Sequence, residues 1–206
     1  MEDRIVRVAP LAGIAFVVLV TVGFAIEGST PSLDDAAGDI MQSYADNDTA
    51  VIVASALSAL GAVALVLFGS DLSARMRTAG SSLLASAAFA GTVICAAGIG
   101  VDAALRFTLA DSAGEISPEA FAGLFAIWNG FFWPIHLGMA VLVGAAGLAT
   151  IDSRMLPAAL GGLGVVAAVL LVIPVLPVTL AGLVGAAVWV FVAGTILWRQ
   201  PRAADA

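Results

Sequence analysis

The sequence predicts an all-α protein built as a six-transmembrane-helix bundle, with both termini on the cytoplasmic side. Three observations carry this. The chain of 206 residues is 61% hydrophobic and only 11% charged, whereas a soluble domain carries about 25% charged residues. Its mean hydropathy is +1.08. Its apolar residues gather into six runs that reach or approach the roughly 20 residues needed to cross ~30 Å of hydrocarbon as helix. None of the runs alternates with period two, which excludes barrel strands and leaves helices as the spanning form.

The expected spans are 8–26, 50–68, 83–108, 128–150, 156–173 and 178–198, in one integral membrane domain covering 1–206. The first is an apolar run of about 19 residues, longer than the h-region of a signal peptide, and Glu2 and Asp3 precede it; it reads as a retained helix. The loop after it is long enough to hold structure. Pro31 and Ser32 open it, with Asp34 and Asp35 in the first turn of an expected helix over 32–46. Leu33, Ala37, Ile40, Met41 and Tyr44 share one face of that helix; Asp35, Asp39, Gln42 and Asp46 lie away from it. This is an amphipathic helix at the outer mouth of the bundle, either a cover for helix ends or a gate or docking element.

The second span carries Ser55 and Ser58, suited to hydrogen bonds between helices. The third carries a small-residue stripe, Gly91, Cys95, Gly98 and Asp102, of the kind that lets helix backbones approach in a bilayer. Cys95 is the single cysteine, so an intrachain disulfide and a multi-cysteine metal site are excluded, and the thiol reads as an inert core residue. The fourth apolar segment is too long for one straight crossing. Ser117, Pro118 and Glu119 form a strong helix start, Phe121, Leu124, Phe125 and Trp128 make a helical stripe, and Pro134 kinks or breaks the helix. Residues 118–131 are therefore expected either to lie along the outer interface or to cross the membrane. Trp128 and Trp133 suit an outer aromatic belt and Trp198 an inner one; Trp189 suits core packing. Gly161, Gly162 and Gly164 open the fifth span, and Ala181 and Gly185 sit four apart on the sixth. No convincing internal repeat of the transporter kind is present.

Charge placement sets orientation. The net charge is −7 and all eight basic residues are Arg. Arg4, Arg7, Arg75, Arg77, Arg154, Arg199 and Arg202 fall on one side, leaving Arg106 within a span. Nine of the fifteen acids fall in 27–48 and 111–119, which hold no Arg. This is a positive-inside pattern and places the protein in the plasma (inner) membrane, with the lipid bilayer as its first partner. A protein partner or a homo-oligomer fits such a chain; nucleic acid does not, for want of a basic patch.

Asp102 and Arg106 are the one feature pointing at specific chemistry. An ionisable side chain costs about 2.5–3.5 kcal/mol at the centre of a spanning helix on insertion scales, so two of them four residues apart are either paired or in use. Asp102 precedes Arg106, the better order for an intrahelical pair. Asn129 and His136 are seven apart on the fourth segment, and Glu27 closes the first. The expectation is an outer-leaflet cluster of Glu27, Asp102, Arg106, Asn129 and His136, able to relay a proton or clamp a hydrogen-bonding ligand. One His with one or two acids does not make a zinc site, no cofactor motif is present, and no hydrolase signature appears.

A Pro31-Ser32 start, then Ile40-x-x-x-Tyr44-Ala45-Asp46-Asn47, a small-residue helix and a short Arg loop ending Ala79-Gly80, resembles an uncharacterised actinobacterial group of six-helix membrane proteins, a domain of unknown function. Asp48 follows Asn47 where that group often has a basic residue. The resemblance implies six helices and their topology and brings no activity with it. Three functions follow from the residues: a non-enzymatic accessory or scaffold subunit or lipophilic-ligand binder; a small proton-coupled transporter using Asp102, Arg106 and His136; and an intramembrane lipid- or quinone-modifying enzyme with His136 as base and Asp102 orienting it. The first is favoured, because one His and one acid make a thin active site.

Overall fold

A computed structural model describes residues 2–200, with side chains from Val8 onward; Arg202 lies outside the described residues, as do the side chains of Arg4 and Arg7. All regular structure among the described residues is helical: α1 (Glu2–Glu27), α2 (Ala37–Asp46), α3 (Asp48–Thr78), α4 (Ser82–Ser112), α5 (Pro118–Gly130), α6 (Trp133–Ser153), α7 (Ala158–Leu171) and α8 (Leu176–Arg199). Among the described residues, five segments are long and apolar enough to cross a membrane: Val8–Glu27, α3, α4, the α5–α6 stretch Pro118–Ser153, and α8. The segment expected at 156–173 is the exception. Helix α7 has 14 residues, about 21 Å of rise.

Helix ends follow local chemistry. At the end of α3, Gly80 takes φ +90°, and Gly80 N–H and Ser81 N–H reach back to the Arg77 and Met76 carbonyls at 3.0 and 2.9 Å, a Schellman closure that only glycine adopts without strain. Ser117 caps α5 by accepting from Ala120 N–H at 3.4 Å, with Pro118 in the first turn. The amphipathic helix begins at Ala37, later than the expected 32. Ser32 N–H donates to the Asp35 carboxylate at 2.8 Å and Asp34 N–H to the Ser32 hydroxyl at 3.2 Å, so those side chains close a turn instead of starting a helix. Leu33 is consequently exposed, while Ile40 and Tyr44 are buried.

Six helices close a ring in which α1 packs on α3, α3 on α4, α4 on α6, α6 on α7, α7 on α8 and α8 back on α1. One continuous apolar core fills it, from Phe16 on α1 through Leu65 and Phe68 on α3 to Val190 and Ala193 on α8. Glycine sets the closest approach: a methyl on Gly91 would come within 2.6 Å of the Leu142 amide nitrogen, and one on Gly138 would run into the Cys95 backbone. This close backbone contact of α4 and α6 relies on dispersion, since lipid supplies no hydrophobic drive between helices. On α8, Gly182 packs closely against Leu170 and Leu171 and the expected Gly185 against Ala167, while Ala181 is exposed. Trp189 is fully buried and donates to the Leu160 carbonyl at 2.9 Å, which satisfies the indole.

Helices α2 and α5 stand apart from the ring and cap one end of it. Tyr44 meets Phe121 and Phe125 edge-on, at centroid distances of 5.6 and 6.0 Å, in a second apolar cluster with Ile40, Val51, Leu109 and Trp128.

Candidate functional site

Beneath this cap lies the ion cluster. Arg106 is 2% exposed. Its Nη1 donates to Glu27 Oε2 at 2.5 Å, and its Nη2 to Asp102 Oδ2 at 2.6 Å and to Ser58 Oγ at 3.0 Å. Asp102 Oδ1 accepts from Trp128 Nε1 at 2.8 Å. The Phe24 ring centroid lies 5.9 Å from the guanidinium carbon, within cation–π range. One guanidinium thus ties α1, α3 and α4 together, and its carboxylate partner ties in α5.

Each side chain is placed by its helix. The 102/106 spacing is an intrahelical i,i+4 pair, as the local rule requires. Glu27 is the last residue of α1, and Gly28 follows with φ +74°, turning the chain away so that the carboxylate can bend under the cap. Ser58 faces α4; Ser55 instead bonds its own helix, donating to the Val51 carbonyl at 2.7 Å, and makes no bridge. Two buried polar atoms of this region, Arg106 Nε and the Tyr44 hydroxyl, have no hydrogen-bond partner. Burial first, and the nearby Glu27 charge second, push the Tyr44 phenol above its ordinary value, so it stays neutral.

Of the five expected residues, Glu27, Asp102 and Arg106 meet; Asn129 and His136 do not join them. Asn129 is exposed. His136 is half-buried and stacks on Phe132, with centroids 6.1 Å apart and planes 16° apart. The reason is the interruption between α5 and α6 at Phe131 and Phe132, which breaks the helical register that would have put residues 129 and 136 on one face. Trp128, assigned to the outer belt from its sequence position, is buried and bound to Asp102, whereas Trp133 and Trp198 are exposed. Trp128 and Tyr44 are the site residues the sequence reading missed. Both sit on apolar helical stripes and carry a donor that needs a partner once buried, and that was the available signal.

The cluster can hold charge and resist separation of its helices. Two carboxylates face one guanidinium, a formal charge of −1 for the three groups. No group of three or more His, Cys, Asp or Glu able to hold a metal occurs among the described residues. A second, partly buried pair, Asp71 with Arg75 at 2.9 Å, lies near the other end of α3. Comparison with protein-family models, curated proteins and solved structures finds no match.

Proposed function

We propose that this is a non-enzymatic integral membrane protein, an accessory or scaffold subunit, in which the Glu27–Arg106–Asp102–Trp128 network acts as a clasp holding the capped end of the bundle. The observation that carries the reading is that the Arg106 guanidinium is sealed from solvent and bound by groups from three helices. A transport or catalytic arginine has to meet its ligand. This one is engaged by the protein's own acids. The ring filled by one apolar core supports the same reading.

In this proposal α7 with its non-helical flanks, residues 156–173, serves as the fifth of six spans, and α5–α6 is one broken fourth span with α5 near the outer interface. Both termini are cytoplasmic, with Arg75, Arg77, Arg154 and Arg199 on the inner side by the positive-inside rule. The likeness to actinobacterial six-helix proteins supports this span count and nothing more.

Proteoliposomes loaded with a pH-sensitive dye test the reading. The expected result is proton permeability no greater than that of empty vesicles across an imposed pH gradient. Cross-linking in native membranes is expected to recover the chain in a stoichiometric complex with itself or with another membrane protein. A proton flux abolished by Asp102→Asn in a protein that remains folded would replace this reading with the proton-coupled carrier.

A further inference from the structure

The clasp reaches a cleft that the scaffold role does not use. A small cleft of about 20 Å³, open on one side, lies between the end of α1, the second half of α2 and the start of α3. Glu27, Ser29, Thr30, Ser43, Tyr44 and Asn47 supply its polar lining, and Pro31 and Val51 are apolar. Tyr44 is 3% exposed, and its hydroxyl has no partner; a buried hydroxyl left unpaired in a native fold asks for an explanation.

Charge selects the class of ligand. Every residue from 27 to 48 that is charged at neutral pH is acidic: Glu27, Asp34, Asp35, Asp39, Asp46 and Asp48. The one cation nearby, Arg106, is buried and already bound to Glu27 and Asp102. An anion would therefore meet a carboxylate field whose one nearby cation is already bound by two acids, whereas a cation would be drawn in. The Glu27 carboxylate has capacity beyond its one bond to Arg106, because an ionised carboxylate accepts about four hydrogen bonds. The Tyr44 hydroxyl also has acceptor lone pairs. Both suit a donor with several N–H groups.

We propose that this cleft is a binding site for a primary ammonium group, held between the Glu27 carboxylate and the Tyr44 hydroxyl with its carbon stem against Pro31 and Val51. The group comes either from a free small amine or from the headgroup of an aminophospholipid. The site is independent of whether the chain serves as a scaffold.

The test uses the full chain in nanodiscs of phosphatidylcholine and phosphatidylglycerol, titrated calorimetrically with ethanolamine. Saturable one-site binding in the millimolar range is expected for so small a ligand. Choline, which has no N–H to donate, is expected to bind about tenfold more weakly or not at all. Glu27→Gln weakens binding but also disturbs the clasp, so Tyr44→Phe is the deciding variant. It should weaken ethanolamine binding about tenfold while leaving the thermal midpoint unchanged or higher, since it removes an unpaired buried hydroxyl. Replacing phosphatidylcholine with phosphatidylethanolamine at constant phosphatidylglycerol distinguishes the sources: suppressed ethanolamine binding supports the lipid headgroup, and unchanged binding supports the free amine. No saturable binding well above millimolar concentrations, equal binding of choline, or wild-type affinity in Tyr44→Phe would each overturn the proposal.

Discussion

Replacing Arg106 with methionine removes the hub of the clasp. The side chain keeps its length and apolar stem, but Glu27 loses its 2.5 Å partner, Asp102 its 2.6 Å partner and Ser58 its donor. Two carboxylates, with side chains 8% and 10% exposed, then remain in a poorly solvated site. Stranding a buried charge costs about 3–5 kcal/mol in soluble proteins. In a bilayer the unfolded state also finds partners, and single interhelical hydrogen bonds average only ~0.6 kcal/mol with a maximum of ~1.7. For three bonds from one guanidinium, about 3 kcal/mol is the working figure. The companion variant Glu27→Met/Asp102→Asn/Arg106→Met removes all three charges and leaves Trp128 an acceptor. It should lie within about 1 kcal/mol of wild type, because replacing a whole buried ionic group with well-packed neutral residues is often neutral. Unfolding by sodium dodecyl sulfate from mixed micelles, followed by tryptophan fluorescence, measures both. A loss under about 1 kcal/mol for Arg106→Met, or a triple variant no better than the single one, would refute the clasp, since uncompensated charge would then not be what the cap end resists.

Three further outcomes follow from the same geometry. Trp128→Phe keeps the ring in the aromatic cluster but takes the 2.8 Å donor from Asp102, and should cost about 1–3 kcal/mol in the same unfolding assay. Gly138→Val forces a branched side chain into the Cys95 backbone and should cost 3 kcal/mol or about that, with loss of folded yield on size-exclusion chromatography; a well-folded Gly138→Val protein would contradict the close α4–α6 contact. Tyr44 is the single tyrosine, and burial raises its ionisation above the ordinary value. Its contribution to stability is therefore complete below about pH 10 and is lost as pH climbs toward the folded value; tyrosinate absorbance should appear late in the folded protein, and Tyr44→Phe should flatten the alkaline decline in stability.

Much of the fold was legible because its causes are local. Apolar length marked five segments long enough to cross a membrane, and Ser117-Pro118 marked the start of α5, through rules that act within a few residues. The Asp102–Arg106 pair was legible for the same reason, being one turn of one helix. The amphipathic helix was legible as to existence and face through Ile40 and Tyr44, while its start was not, because the Ser32 and Asp35 side chains compete with the helix for the backbone.

By itself the sequence determined that this chain is helical, apolar enough for a bilayer, and burdened with a charge pair it must neutralise. Only the tertiary structure decided what neutralises it. Glu27 reaches Arg106 across 79 positions of sequence, and Ser58 and Trp128 converge from two other helices; no periodicity records such meetings. His136 was drawn into the expected site by a seven-residue spacing that holds only along an unbroken helix. The interruption at Phe131 and Phe132 turned it onto an aromatic ring instead, because side-chain direction within a helix is set by local register, and register does not survive a break.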